Sequence, residues 1–316
     1  MSPRALRALA GAFLILAAVW GGILLLERRR PSRPPLVADA TRARRVVLIK
    51  GGARTVLVGT QAGGWTLEEP FRFPADPTAV DGLLEKLSKA SSSELLSSDP
   101  SRHALFQVDP SSAIRMTLSA EDGKPLWDAF IGRPGADFDS FFFRREGEDS
   151  VHEARGLERY AFDRLPGTWA DRVLCAVEPV ALLGVEASSQ KKTVSVRREG
   201  GAWLRADGVA LSSSTVSELL QPFLTTLTRL EADSVTPEAG VHPFVLRGLA
   251  TPEFRVVVRH LDAEGARRTM TLEVGTRAPE FTRPVKKSGV GGFVYNLADW
   301  RLASLRRFIE EFPNQP

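Results

Sequence analysis

The sequence predicts an α+β fold: a single amino-terminal transmembrane helix, then two homologous modules, each a mainly antiparallel sheet with a packed helix and a short closing helix. Three observations predict it. They are an uncharged apolar run near the amino terminus, a hydrophobic pattern that occurs twice in the body, and strand-like alternation broken once per copy by helical periodicity. The chain has 316 residues, 43% hydrophobic and 25% charged, which suits two globular modules and excludes a collagen-like or mainly disordered protein.

The apolar run is Ala8 to Leu26, without a charged residue. As a helix it would span roughly 28 Å, about the hydrocarbon thickness of a bilayer. It exceeds the apolar stretch of about 7 to 15 residues usual in a removable signal peptide, so residues 1–30 read as an uncleaved anchor. Leu9, Phe13, Leu16, Trp20 and Leu24 are its anchoring side chains, and Arg28, Arg29, Arg30 and Arg33 form a basic cluster at the membrane interface. Pro31, Pro34 and Pro35 then make residues 31–44 an extended spacer.

Charge is distributed unevenly. Residues 1–45 hold nine arginines against Glu27 and Asp39, a net of +7, while the other 271 residues carry 33 basic and 36 acidic side chains, a net of −3. The total of +4 is thus a property of the amino-terminal segment, and the mildly acidic body excludes a nucleic-acid partner, since phosphate neutralisation drives such binding. Counted alone, the arginines flanking the apolar run place the body in the cytoplasm.

The two modules span residues 45–176 and 177–316. Trp65 aligns with Trp203, and Val56 and Val58 with Val194 and Val196, at an offset of 138. At an offset of 136, Val80, Leu83, Leu84 and Leu87 align with Val216, Leu219, Leu220 and Phe223, the buried stripe of a helix in each copy. Asp76-Pro77 and Ser212-Ser213 supply the helix starts. Beyond the helix the offset is 142 to 143. It pairs Ile114 and Met116 with Val256 and Val258, then Ala129, Ile131 and Gly132 with Leu272, Val274 and Gly275, as period-two strands around glycine turns. Phe162 and Leu165 align with Leu305 and Phe308, predicting closing helices near 156–165 and 298–311.

Several short motifs carry a family resemblance. Gly63-Gly64-Trp65, Phe73-Pro74-Ala75-Asp76 before the helix, Gln107-Val108-Asp109-Pro110 before a hairpin, Ile131-Gly132 and Trp169-Ala170-Asp171-Arg172 together resemble the bacterial domain of unknown function 4340. The resemblance implies a protein of the cytoplasmic membrane with a periplasmic body, acting beside gliding-motility-type ABC transporter subunits as a non-enzymatic accessory or scaffold. It thus implies the orientation opposite to the arginine count. It implies no catalytic residues and no cofactor. A ligand- or glycan-binding protein using the cleft between the modules is the alternative.

Nothing in the sequence assembles a reaction centre. His103, His152, His242 and His260 are dispersed, Asp137 and Asp139 read as turn residues, and the lone Cys175 has no local base. Gly51-Gly52 and the glycines at 289–292 lack phosphate-loop spacing and read as hairpin turns. Among Phe141, Phe142 and Phe143, alternation sends Phe142 away from the core, a contact site if it is exposed.

Overall fold

The computed structural model describes residues 20–21, 34–278 and 282–313, apart from the side chains at 93 and 94. The first half runs β1 Arg45–Lys50, β2 Ala53–Gly59, β3 Trp65–Glu69, β4 Phe73–Ala75, helix α1 Pro77–Lys89, β5 Ser91–Ser97, the one-turn helix α2 His103–Phe106, β6 Ile114–Ser119, β7 Pro125–Pro134, β8 Ser140–Arg145 and β9 Val151–Arg155. These strands form one antiparallel sheet in the order β4-β3-β2-β1-β6-β7-β8-β9-β5.

A short β10, Val173–Cys175, leads to the second half. There β11 Leu182–Ser189, β12 Thr193–Glu199 and β13 Ala202–Arg205 precede a continuous helix α3, built from Ser213–Thr215, a π-wound Val216–Leu220 and Gln221–Thr228. Then come β14 Leu230–Glu231, β15 Ser234–Pro237, α4 Pro243–Ala250, β16 Phe254–Leu261, β17 Arg267–Val274, β18 Thr282–Lys287, β19 Phe293–Ala298 and α5 Ala303–Glu311. The second sheet has the order β13-β12-β11-β16-β17-β18-β19-β15, the same as the first strand for strand except that it has no counterpart of β4.

Local chemistry accounts for these elements. In β6, Ile114, Met116 and Leu118 are buried while the residues between them are half-buried, as a pleat with one packed face requires. Gly51 and Gly52 join β1 to β2 with φ of 54° and 82°, a two-residue turn whose hand matches the strand twist and suits glycine. The Asp76 carboxylate accepts from the Thr78 and Ala79 amides to start α1, and Val80, Leu83, Leu84 and Leu87 are its buried face. Because α1 leaves edge strand β4 and delivers the chain to the opposite edge strand β5, it covers one face of the sheet. That face and α1 enclose a core containing Trp65, Leu84, Phe141, Phe143 and Trp169.

The opposite face is partly covered by α2. A Cβ on Gly132 would sit 2.2 Å from the Phe106 carbonyl oxygen, so glycine lets the end of α2 rest directly on β7. At Gly275 a Cβ would lie 2.9 Å from the Pro284 ring and 3.2 Å from the Leu249 side chain of α4. The Ile131-Gly132 and Val274-Gly275 motifs are therefore packing devices.

Two expectations are corrected. Two antiparallel sheets dominate the fold where an α+β class with an amino-terminal transmembrane helix was expected, and no helix among the described residues is long and apolar enough to cross a membrane. All of the predicted 8–26 run except Trp20 and Gly21 lies outside the described residues. The closing helix is also present in one half only. The second half has α5, with Leu305, Phe308 and Ile309 buried, whereas the first has a single 3₁₀ turn, Arg159–Ala161. Gly156 with φ of 90° and Pro166 interrupt that span at both ends, although Phe162 still reaches the core.

Candidate functional site

Of the predicted anchor residues, Leu9, Phe13, Leu16 and Leu24 lie outside the described residues, as do Arg28, Arg29, Arg30 and Arg33. Trp20 is described and is 68% exposed.

The residues that could carry chemistry are engaged in holding structure. Cys175 is buried in β10, and burial pushes its thiol up to about 12, where it is neither nucleophile nor ligand at neutral pH. His103 bonds the Asp149 carbonyl, His152 stacks on Phe143, and Asp137 pairs with Arg155. Among the described residues no group of three or more His, Cys, Asp or Glu side chains could hold a metal ion. In the second half, buried Arg283 donates to Asp299 and to Glu253, and Arg306 donates to the same Asp299 oxygen. The hydrogen bond from Arg306, opposed by burial and joined by that from Arg283, holds the Asp299 carboxyl below the usual range. This network ties the start of β16 and β18 to α5 and borders a cavity of about 470 Å³ whose other walls include Lys191, Phe254 and Ile309.

The Trp169-Ala170-Asp171-Arg172 motif is the joint between the halves. The Trp169 carbonyl accepts from the Asp76 amide at 2.8 Å, Ala170 bridges to Ala75, and the Asp171 amide donates to Pro74 at 2.7 Å, so the segment runs along edge strand β4. Arg172 then donates to the carbonyls of Ala232 and Asp233, and β10 pairs with β14. Leu174 and Cys175 lie in the second core, interleaving the two halves. Beside the joint, Phe73 packs edge-on against Phe293 at 4.6 Å and near Tyr295, with Phe71 also on Phe293. Aromatic rings occupy this junction, and each of the five described cavities is lined by residues of one half only.

The sheet edges differ in how they are closed. Strand β4 is covered by 169–171, and β13 by its own returning loop, where Leu204 bridges to Ala210 and the Arg205 amide donates to Val209. Strand β15 has Gly167 seated against the Val235 backbone, so closely that a Cβ would lie 2.4 Å from the Val235 carbonyl oxygen. Among the described residues, strand β5 is closed at its first residues. Pro35 bridges to Ser91, the Ser92 amide donates to Pro34 and the Leu36 amide donates to Ala90. Past that point Leu95 is 53% and Leu96 45% exposed. Exposed leucines on a partly closed edge strand offer both backbone pairing and apolar contact.

Phe142 is not the contact site that alternation suggested. It does face away from the α1 core, but Phe106 packs edge-on against it at 5.0 Å and the Arg133 guanidinium lies 4.7 Å over its ring, so it is half-buried. Sequence reasoning did not single out Leu95 or Leu96. The string Ser91-Ser92-Ser93-Glu94-Leu95-Leu96-Ser97 has no clean alternation, because β5 shifts register against β9 on both sides of Leu95.

In comparison with known proteins, the family model described as domain of unknown function 4340 matches residues 65–243, from β3 through the joint to the start of α4. No curated protein and no solved structure matches the chain.

Proposed function

Since the chain belongs to the domain of unknown function 4340 family, we propose that it is a non-enzymatic accessory or scaffold protein of the bacterial cell envelope, with its body on the periplasmic side of the cytoplasmic membrane, and that it works by contact with subunits of an ABC-transporter-type complex. The observation that supports contact as its mode of action is β5, where an edge strand displays Leu95 and Leu96 to solvent. Monomeric domains blunt such edges, and a paired one supplies main-chain hydrogen bonds as well as side-chain burial. The mildly acidic body and the family resemblance support an envelope protein over a nucleic-acid partner.

A photo-crosslinking residue at Leu96 in living cells, with a second at exposed Val209 in the loop after β13 as control, tests this reading. The expected result is a defined adduct from position 96 with a membrane-transporter subunit, abolished by Leu95→Lys. Absence of any adduct at 96, or an adduct with a transporter subunit that survives Leu95→Lys and forms equally at 209, overturns it.

A further inference from the structure

The first half carries a second exposed feature, remote in character from the β5 edge. Phe138, in the loop between β7 and β8, is 78% exposed, and Tyr160, in the 3₁₀ turn after β9, is 57% exposed. Their rings meet at 5.9 Å with an angle of 59° between planes. They stand beside a cavity of about 510 Å³ whose lining includes Gln107, Gly135, Asp137 and Arg159.

The loop that displays Phe138 is held by a buried polar frame. Ser140, fully buried, accepts from the Asp137 amide at 3.2 Å and donates to the Asp137 carbonyl at 3.0 Å, while the Gly135 amide donates to the Ser140 carbonyl at 2.9 Å. Glu153, also buried, accepts from Arg155, which in turn pairs with Asp137 at 3.0 Å. A Cβ on Gly135 would fall 2.1 Å from the Ser140 hydroxyl and 2.5 Å from Glu153, so the loop closes over these groups with no spare room. On the other wall, Arg159 is fixed by the Gly132 carbonyl at 3.1 Å and by Asp163, which sets the turn that carries Tyr160. Two aromatic rings thereby stand in water at the mouth of an open cavity, on a loop and a turn whose backbones are fixed, an arrangement that folding alone does not reward.

We infer that this cavity binds a saccharide. A pyranose ring has a face of C–H groups that stacks on an aromatic ring and a rim of hydroxyls that needs donors and acceptors close by. The lining matches that division: Phe138 and Tyr160 provide the apolar surface, and Gln107, Asp137 and Arg159 are polar residues of the same lining. An aliphatic peptide side chain would require an enclosed pocket, which this open cavity does not supply. Its volume falls within the range of about 300 to 1,000 Å³ usual for small-ligand sites. The inference stands apart from the proposed partner contact, because it uses none of the β5 residues.

Saturation-transfer NMR and calorimetry on the full-length protein test it with two probes, the β-1,4-linked N-acetylglucosamine tetramer and maltotetraose. Millimolar or tighter binding of at least one is expected, weakened roughly tenfold in Phe138→Ala and in Tyr160→Ala, and retained in Phe138→Trp. Both alanine variants should melt with the parent protein, since the two rings are exposed. Binding of neither probe overturns the inference, and so does binding that both alanine variants retain. Binding at this cavity of an apolar peptide that the saccharide does not displace also overturns it.

Discussion

Replacing Trp169 with alanine tests the assignment of the joint most directly. Trp169 is 0% exposed and is among the largest fully buried side chains of the described residues, with its carbonyl accepting from the Asp76 amide just before α1 and the Arg164 guanidinium 4.3 Å over its ring. Deleting a buried indole removes roughly 200 Å² of apolar contact and leaves a cavity that its neighbours fill incompletely, which together destabilise by about 3 to 5 kcal/mol. For a chain of this size, that corresponds to a fall of roughly 6 to 20 °C in Tm, measured by calorimetry. The indole Nε1 is buried without a hydrogen-bond partner among the described residues, so Trp169→Phe loses area alone and should fall by only about 1 to 1.5 kcal/mol. A loss below about 1.5 kcal/mol for the alanine variant would refute the enclosure of the ring. Equal losses for the two variants would instead show that the indole N–H is bonded and that the reasoning from area is incomplete.

Two more outcomes follow from titratable groups. Hydrogen bonds from Ser111 and Ser112 hold the Asp109 carboxyl at about 2, against an ordinary value of 3.8, so the stability it contributes is complete above about pH 4 and disappears as pH falls toward 2. Asp109→Asn should therefore be less stable than the parent by about 1 kcal/mol at pH 6, with the gap closing in urea titrations near pH 2; a gap that widens on acidification would reverse the sign. Cys175, buried and with its thiol pushed up to about 12, should resist a maleimide for hours at pH 8 and take up one equivalent on unfolding. Stoichiometric labelling of the native protein within minutes would contradict its placement in the second core.

Much of the architecture was legible because it follows from periodicity. The stripe Val80, Leu83, Leu84 and Leu87 has a single burial solution, and Asp76-Pro77 a single capping role, so helix α1 could be placed before any fold was known. The alternation of Ile114, Met116 and Leu118 marked β6 in the same way. Legibility failed where long-range contact overrides local pattern. Residues 156–165 have helical apolar spacing, yet the chain there is turned by Gly156 and docked through Phe162 as a 3₁₀ turn. Phe142 is aimed outward as alternation requires, but its exposure was decided by Phe106 and Arg133, which come from helix α2 and strand β7.

By itself, the sequence determined the position of α1 and of the strands with clear alternation such as β6, the segregation of basic charge into the first 45 residues, and glycine turns such as Gly51-Gly52. Only the tertiary structure decided that Trp169 to Arg172 lie along β4 while Arg172 reaches the second half, that aromatic rings occupy the junction, and that Leu95, Leu96, Phe138 and Tyr160 are left facing water. The physical reason is the range of the forces. Helical and strand periodicity is set by neighbours a few residues away, whereas exposure is what remains after segments distant in the chain have covered everything they can reach.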